Sequence, residues 1–251
     1  MLDSRLDEIG GKGLFVKELD QALRDMRIDL AVHSLKDMPA ETCDDLPILA
    51  YSKREDPCDA LVLPACAGLA DFRGPVGSSS ERRRIQFESL YPGIAVESIR
   101  GNVETRLRKL EEGRYGALIL AHAGLIRLGL QGLASKVFSA DEMIPSAGQG
   151  ILAVQGRKGE FGDLAGLISD IQSERAAAAE RAFVQKLGCG CTAPVAAYAE
   201  TDGRVLHLRA MYFDEDTGIK VTGSDDGKVN EAEKLGAGLA EKLLLEIKSA
   251  R

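Results

Sequence analysis

The chain has 251 residues, 45% hydrophobic and 28% charged, enough to bury a sizeable core as one large domain or two to three small ones. Its formal net charge of -7 argues against general affinity for polyanions, and no apolar run approaches the roughly 20 residues of a membrane span. Met1-Leu2-Asp3-Ser4-Arg5 lacks the cationic start and apolar stretch of a signal peptide, so a soluble cytoplasmic protein is expected.

Gly10-Gly11-Lys12-Gly13 reads as a turn, after which Phe15, Leu19, Leu23 and Met26 recur at helical spacing and predict a helix over 16–27. Residues 28–33 read as the strand behind it. Pro39 ends the loop that follows and leaves Lys36 and Asp37 at the strand's carboxyl end, where open α/β sheets bind ligands. A second α/β rhythm predicts strands at 60–63, 76, 94–99 and 117–120 with helices over 80–90 and 103–110, a βαβ-type module. Polar connections at 53–57 and 146–150 flank it, so two crossings link it to the first unit and could act as a hinge.

From Ser173 the texture changes. Ala176, Ala179, Phe183 and Leu187 line one face of a helix that stops at Gly188, and β-type runs over 205–213 and 219–222 precede a helix over 230–247. Asp202-Gly203 suits a hairpin turn, whereas Asp226-Gly227 reads as loop. The division predicted is 1–52 with 150–170 as one α/β domain, 56–146 as a second, and 173–251 as an α+β domain.

In this acidic chain several arginines stand at turns and helix starts. Ser78-Ser79-Ser80-Glu81 begins a helix whose first turn carries Arg82 and Arg83, so hydroxyls, free N–H groups and guanidinium forks could surround a carboxylate or phosphate. Arg100-Gly101-Asn102 repeats the arrangement with Arg106 one turn on, and Arg127 sits in a later helix. A capped surface helix with a solvated basic face is the competing reading of each segment; two such segments in one module favour ligand binding. Asp37, beside Lys36, is either a turn aspartate or an ionised acid/base in a cationic cleft. Lys12 is either a substrate-touching loop cation or a solvated turn residue.

Five cysteines without a compact framework suit reduced thiols. Gly188-Cys189-Gly190-Cys191 leaves two thiols sterically open for covalent attachment or nucleophilic use, or as inert loop residues. No metal site is expected, because Cys-x-Cys has no second pair nearby and His122 and His207 fall in other elements. His33 reads as a packed core histidine.

These segments, taken in order, resemble the porphobilinogen deaminase (hydroxymethylbilane synthase) family along essentially the whole chain. The resemblance rests on Ile9-Gly10-Gly11-Lys12-Gly13-Leu14-Phe15, Ala31-Val32-His33-Ser34-Leu35-Lys36-Asp37-Met38-Pro39, Arg54-Glu55-Asp56-Pro57, Arg100-Gly101-Asn102-Val103-Glu104-Thr105-Arg106, Gly148-Gln149-Gly150 and the Cys191 loop. It implies two α/β domains like type II periplasmic binding proteins, plus a smaller α+β C-terminal domain. It implies a covalent dipyrromethane cofactor held through a thioether by Cys191, with Lys36, Arg82, Arg83, Ser78 and Ser80 around it and no such role for Cys189. Asp37 resembles the catalytic carboxylate. Lys12, Phe15, Arg100, Arg106 and Arg127 resemble substrate contacts.

The implied reaction joins four porphobilinogen units head to tail, releases ammonia at each step and hydrolyses the linear hydroxymethylbilane from the cofactor. An ionised Asp37 would offset the cations formed when ammonia leaves and when the next pyrrole attacks, while the arginines take up the carboxylates of each added ring. A monomer is implied.

The family's usual further N-terminal segment, with a first strand and an Arg-Ser anion site, is absent before the glycine turn. Either the natural protein begins upstream of Met1, or the form is a truncated one; losing the segment should remove central ladder partners, so the 251-residue chain is expected to be unstable or inactive unless it is restored. Glu8 and Glu81 also depart from the family's usual residues, at no matched functional position. A non-catalytic carboxylate-binding protein of the same architecture is the first competing function; the Cys191 loop and third domain speak against it. A nucleic-acid binder is disfavoured by charge and by the lack of aromatic residues among the arginines.

Overall fold

The computed structural model describes residues 11–65, 67–68, 73–188 and 193–250, with the side chains of 11–15 and 164–165 outside the description. In chain order, α1 (Gly11–Arg24), β1 (Leu30–Ser34), a 3-10 turn (Leu35–Asp37) and β2 (Ile48–Tyr51) come first. Next are β3 (Asp59–Val62), β4 (Val76–Gly77), α2 (Glu81–Leu90), β5 (Val96–Glu97), α3 (Val103–Glu111), β6 (Ala117–Ala121), α4 (His122–Arg127) and β7 (Ala134–Val137). The chain then forms β8 (Leu152–Gly156), α5 (Gly162–Ile168), α6 (Ile171–Lys186), β9 (Val195–Thr201), β10 (Val205–Asp214), β11 (Ile219–Lys228) and α7 (Ala232–Ala250).

Three sheets result. In the first, β8 lies between β1 and β2 and is antiparallel to both. In the second, of order β5-β4-β6-β3-β7, the pairs β4–β5 and β4–β6 are parallel, with β3 antiparallel to β6 and β7. The expected βαβ module is therefore present, with an antiparallel flank. The third sheet is the antiparallel meander β9–β10–β11. Two α/β sheets and a C-terminal α+β unit are the architecture expected.

Several local expectations are overturned. Helix α1 starts at Gly11, so Lys12 lies in a first helical turn and not in a glycine turn. A glycine costs a helix about 1 kcal/mol, which propagation of the amphipathic segment behind it outweighs. That helix ends at Arg24; Met26 adopts φ +55° and is exposed, while Arg157 Nη1 donates to the Leu23 and Ile28 carbonyls and holds the exit. Asp226 and Gly227 are not loop but part of β11, which pairs along all ten residues of β10. Asp226 meets His207 on the solvent side, and a side chain at Gly227 would run into Leu235 of α7.

The third sheet owes its core to period-two alternation in β10: Leu206, Leu208 and Ala210 face Phe183 of α6 and Leu235, Leu239 and Leu243 of α7, all buried. On its other face Met211 and Ala196 pack on Ile85 of α2, which fixes that helix against the C-terminal unit. Among the described residues no helix is long and apolar enough to cross a membrane.

Candidate functional site

The site forms where the two crossings run side by side. Arg54 and Glu55 leave β2 while Gly148, Gln149 and Gly150 return towards β8, and they hydrogen-bond to one another: Glu55 N donates to Gly150 O (3.0 Å) and Arg54 Nε to Gln149 O (3.0 Å). Gly150, at φ +90°, is required here, because a Cβ would stand 2.3 Å from the Glu55 carbonyl oxygen. Glu180 of α6, fully buried, clamps the junction by accepting from Gly148 N (2.6 Å), Ala199 N (2.7 Å) and Arg54 Nη2 (2.7 Å).

Lys36 and Asp37 occupy the 3-10 turn after β1, held from below by Leu35, which is 1% exposed and whose N–H donates to Ile151 O. The turn places Lys36 opposite Arg82 and Arg83 of α2. Ser80 caps that helix by accepting from Arg83 N, and Ser78, buried, accepts from Ser80 N (3.3 Å). Arg82 and Arg83 are not a solvated surface pair: they are 4% and 7% exposed and both turn inward onto Asp59 at the start of β3, at 2.8 and 2.7 Å. Arg82 also donates to Ile144 O and Arg83 to Ile119 O.

The electrostatics follow from that burial. Burial pushes the Asp59 carboxyl up, but Arg82 and Arg83 together outweigh it and hold it below the usual carboxylate range. Burial lowers Arg82, with Asp59 opposing. Lys36 is pushed down to about 8 by burial and by the Arg83 charge, against the pull of Asp37 and Asp59. Arg106 is lowered by burial and by Arg83, with Asp37 opposing. Four cations, Lys36, Arg82, Arg83 and Arg106, thus share one neighbourhood with two carboxylates, Asp37 and Asp59.

The remaining expected residues are spread around this cluster. Arg106 Nε donates to Gly101 O (2.8 Å) in α3, whose N-cap is Asn102, and Arg100 is exposed just before it. Arg127, at the end of α4, donates to Gly150 O (2.7 Å) and so reaches the crossing. Lys12 and Phe15 have helical backbone in α1, and their side chains lie outside the description. Cys189 and Cys191 lie outside the described residues. His33 is half-buried with Nε2 3.0 Å from Gln155 Oε1. Cys58 is pushed up to about 12 by burial and by Asp56, which makes it a poor nucleophile.

Sequence reasoning missed Asp59 and Glu180, and gave no role to Arg54 and Gln149, which stood only within matched segments. The signal available was an acid at the first residue of an apolar strand, Asp59-Ala60-Leu61-Val62, a position that must find a buried cation. The excess of cations at this partly buried junction, backed by serine hydroxyls, suits a ligand bearing several carboxylates, and a dipyrromethane with acetate and propionate arms meets that requirement.

Two family models match the chain: "Porphobilinogen deaminase, dipyromethane cofactor binding domain" over residues 1–162 and "Porphobilinogen deaminase, C-terminal domain" over 175–245. A porphobilinogen deaminase of Acetivibrio thermocellus is 51% identical over 97% of this chain and 83% of its own length. One from Ruminiclostridium cellulolyticum is 47% identical, also over 97% and 83%. Among solved structures, the second substrate-binding domain of a putative amino acid ABC transporter from Streptococcus pneumoniae superimposes with a TM-score of 0.38 at 18% identity, covering 59% of this chain and 66% of that one. On the strength of the two matched models and these relatives, the chain belongs to the porphobilinogen deaminase family.

Proposed function

We propose that this chain is the transferase of tetrapyrrole synthesis that joins four porphobilinogen units into linear hydroxymethylbilane with release of ammonia. The observation that carries the assignment of roles is the meeting of Lys36 and Asp37, from the first sheet, with Arg82, Arg83 and Arg106, from the second. Cys191 holds the dipyrromethane cofactor, and Lys36, Arg82, Arg83, Ser78 and Ser80 receive its carboxylate arms. When bound, this group supplies the first nucleophilic pyrrole carbon and keeps the growing product attached. The three domains of the reading are 1–52 with 150–170, 56–146 and 173–251, working as a cytoplasmic monomer.

Asp37 acts on charge. Beside Lys36 and Arg106, its carboxylate would accept hydrogen bonds from pyrrole N–H groups and offset the positive charge left on porphobilinogen as ammonia departs. It would also take the proton that the ring must lose after the new carbon–carbon bond forms. Arg100, Arg106 and Arg127 take the acetate and propionate of the incoming unit, with Lys12 and Phe15 as further contacts. Bidentate guanidinium–carboxylate pairing fixes the ring plane as well as its charge, which a lysine at the same places would not do.

The test is intact mass with peptide mapping, followed by ammonia release from porphobilinogen. An adduct of dipyrromethane mass on Cys191 is expected in the parent and in Asp37→Ala, with ammonia release reduced at least about a hundredfold in the variant, the usual size of a lost acid/base contribution. A bare Cys191 in folded protein, or an Asp37→Ala variant that releases ammonia at the parent rate, overturns the reading.

A further inference from the structure

Gln149 lies between the site's two halves and is 1% exposed. Its side-chain nitrogen donates to Pro57 O (2.6 Å) and to Asp59 Oδ1 (2.9 Å), with Cys58 O further off at 3.4 Å. Both of those near partners only accept, so the amide cannot be turned round: its oxygen must face the other way. There it accepts from Lys36 Nζ (3.3 Å). Asp59 Oδ1 in turn accepts from Arg83 Nε (2.9 Å), while Oδ2 faces Arg82. An unbroken polar chain therefore runs Lys36–Gln149–Asp59–Arg83, from the turn after β1, through one crossing, to the head of α2.

The backbone around Gln149 is built for this placement. Gly148, at φ +74°, passes so close to Leu35 that a Cβ would stand 2.7 Å from it, and Leu35 is the residue seating the turn that presents Lys36. The amide and the ammonium are thus pinned by the same contact.

Resting on the reading of Lys36 as a ligand-binding cation, we propose that Gln149 is a positioning residue: it ties the Lys36 ammonium to the Asp59–Arg82–Arg83 cluster so that cations from two sheets meet one carboxylated ligand as a unit. The groups facing Lys36 are Asp37 on its own turn, Arg82 and Arg83 on α2 and Asp59 on β3. Among these, Gln149 adds a neutral acceptor that favours the charged amine without cancelling its charge. A carboxylate at the same place would pair with Lys36 and remove the positive charge that the ligand needs.

The experiment measures acylation of Lys36 by an amine-reactive ester across pH, by peptide mass mapping on the full chain, for the parent, Gln149→Leu and Gln149→Glu. Only the free amine reacts, so the midpoint reports Lys36 directly, whatever the activity. Loss of the acceptor in Gln149→Leu should lower the midpoint and speed labelling at neutral pH about tenfold, the worth of one hydrogen bond to a charged group. Gln149→Glu should move the midpoint up and slow labelling. A merely structural role predicts the same direction in both, and that result, or no movement in either, overturns the proposal.

If a variant does not fold, the parent still decides. The Gln149 side-chain amide signals in nitrogen-15 spectra should titrate with the Lys36 midpoint, and their indifference to it overturns the proposal. Lys36→Met separates the two levels of inference: unchanged loading of the dipyrromethane cofactor in that variant, read by intact mass, removes Lys36 from the ligand site while leaving the effect of Gln149 on Lys36 to stand or fall by the labelling midpoints.

Discussion

Glu180→Ala tests whether the three sheets are fastened at one buried point. The wild-type carboxylate is fully buried, accepts two backbone N–H groups and pairs with Arg54 Nη2, whose side chain is 13% exposed. Arg54 spans the units: its backbone N–H donates to Ser173 Oγ, its Nη1 to Ala199 O, and its guanidinium lies 5.2 Å from the Tyr198 ring centre. Removing the carboxylate orphans two buried amides and leaves a largely buried cation without a counter-ion. The expected loss is about 3–5 kcal/mol, the range for breaking a buried pair from one side. For a chain of this size that is a fall in melting temperature on the order of 10 °C. Urea denaturation followed by circular dichroism, with limited proteolysis at the crossings, reads both the loss and its location. Because Glu180 sits on α6, earlier cleavage at 53–57 and 146–150 should accompany the loss. A cost below about 1 kcal/mol, as for an exposed pair, with unchanged proteolysis would refute the reasoning.

Gly150→Ala and Gly159→Ala separate backbone strain from collision. Both glycines have positive φ, +90° and +84°, but an added Cβ meets the Glu55 carbonyl at 2.3 Å in the first and nothing within 4 Å in the second. Gly159→Ala should cost about 1 kcal/mol and Gly150→Ala clearly more than the roughly 3 kcal/mol upper end for strain alone, measured by urea midpoints; equal costs would show that the crossings are not in contact. For Lys36, the folded value of about 8 lies below the usual 10.5, so the unfolded chain binds more protons between these values and Lys36 adds stability as pH rises across that window. Lys36→Met should therefore exceed the parent in stability most below about pH 8, with the difference shrinking towards 10.5. Loading of the dipyrromethane cofactor, read by intact mass, should fall as pH rises through the Lys36 midpoint, since only the ammonium attracts its carboxylates. A pH-independent difference or loading would remove Lys36 from both accounts.

Helices and apolar strands were legible because their periods are written in consecutive residues. The helix and strand starts at Ser80, Val103 and Val205 agree with the caps and pairing observed. Strands β2, β7, β8 and β9 were not legible: β8 runs Leu152-Ala153-Val154-Gln155-Gly156, where Gln155 and Gly156 break the apolar run. Gln155 is a buried strand residue whose amide is spoken for by Leu46 O and His33, partners more than a hundred positions away. The same distance in sequence hid half of the site. Arg82, Arg83, Lys36 and Asp37 advertise themselves by turn and helix-start context, whereas Asp59, Gln149 and Glu180 have meaning only through partners in other elements.

Burying Arg82 and Arg83 side by side is unfavourable twice over, through desolvation and mutual repulsion, and the fold offsets this with one carboxylate rather than two. That choice matters for binding. A second acid would give a neutral, self-satisfied cluster with nothing to offer a ligand, while a cluster without Asp59 would leave two bare guanidiniums that the core could not hold. With Asp59 alone, positive charge is left over on side chains already buried in the fold, so an arriving carboxylate would meet cations whose desolvation was settled during folding. Because Lys36 and Asp37 belong to the sheet on the other side of the crossings, that remaining charge is felt by both α/β sheets. Gln149, hydrogen-bonded to Lys36 and to Asp59, joins the two sheets at that charge.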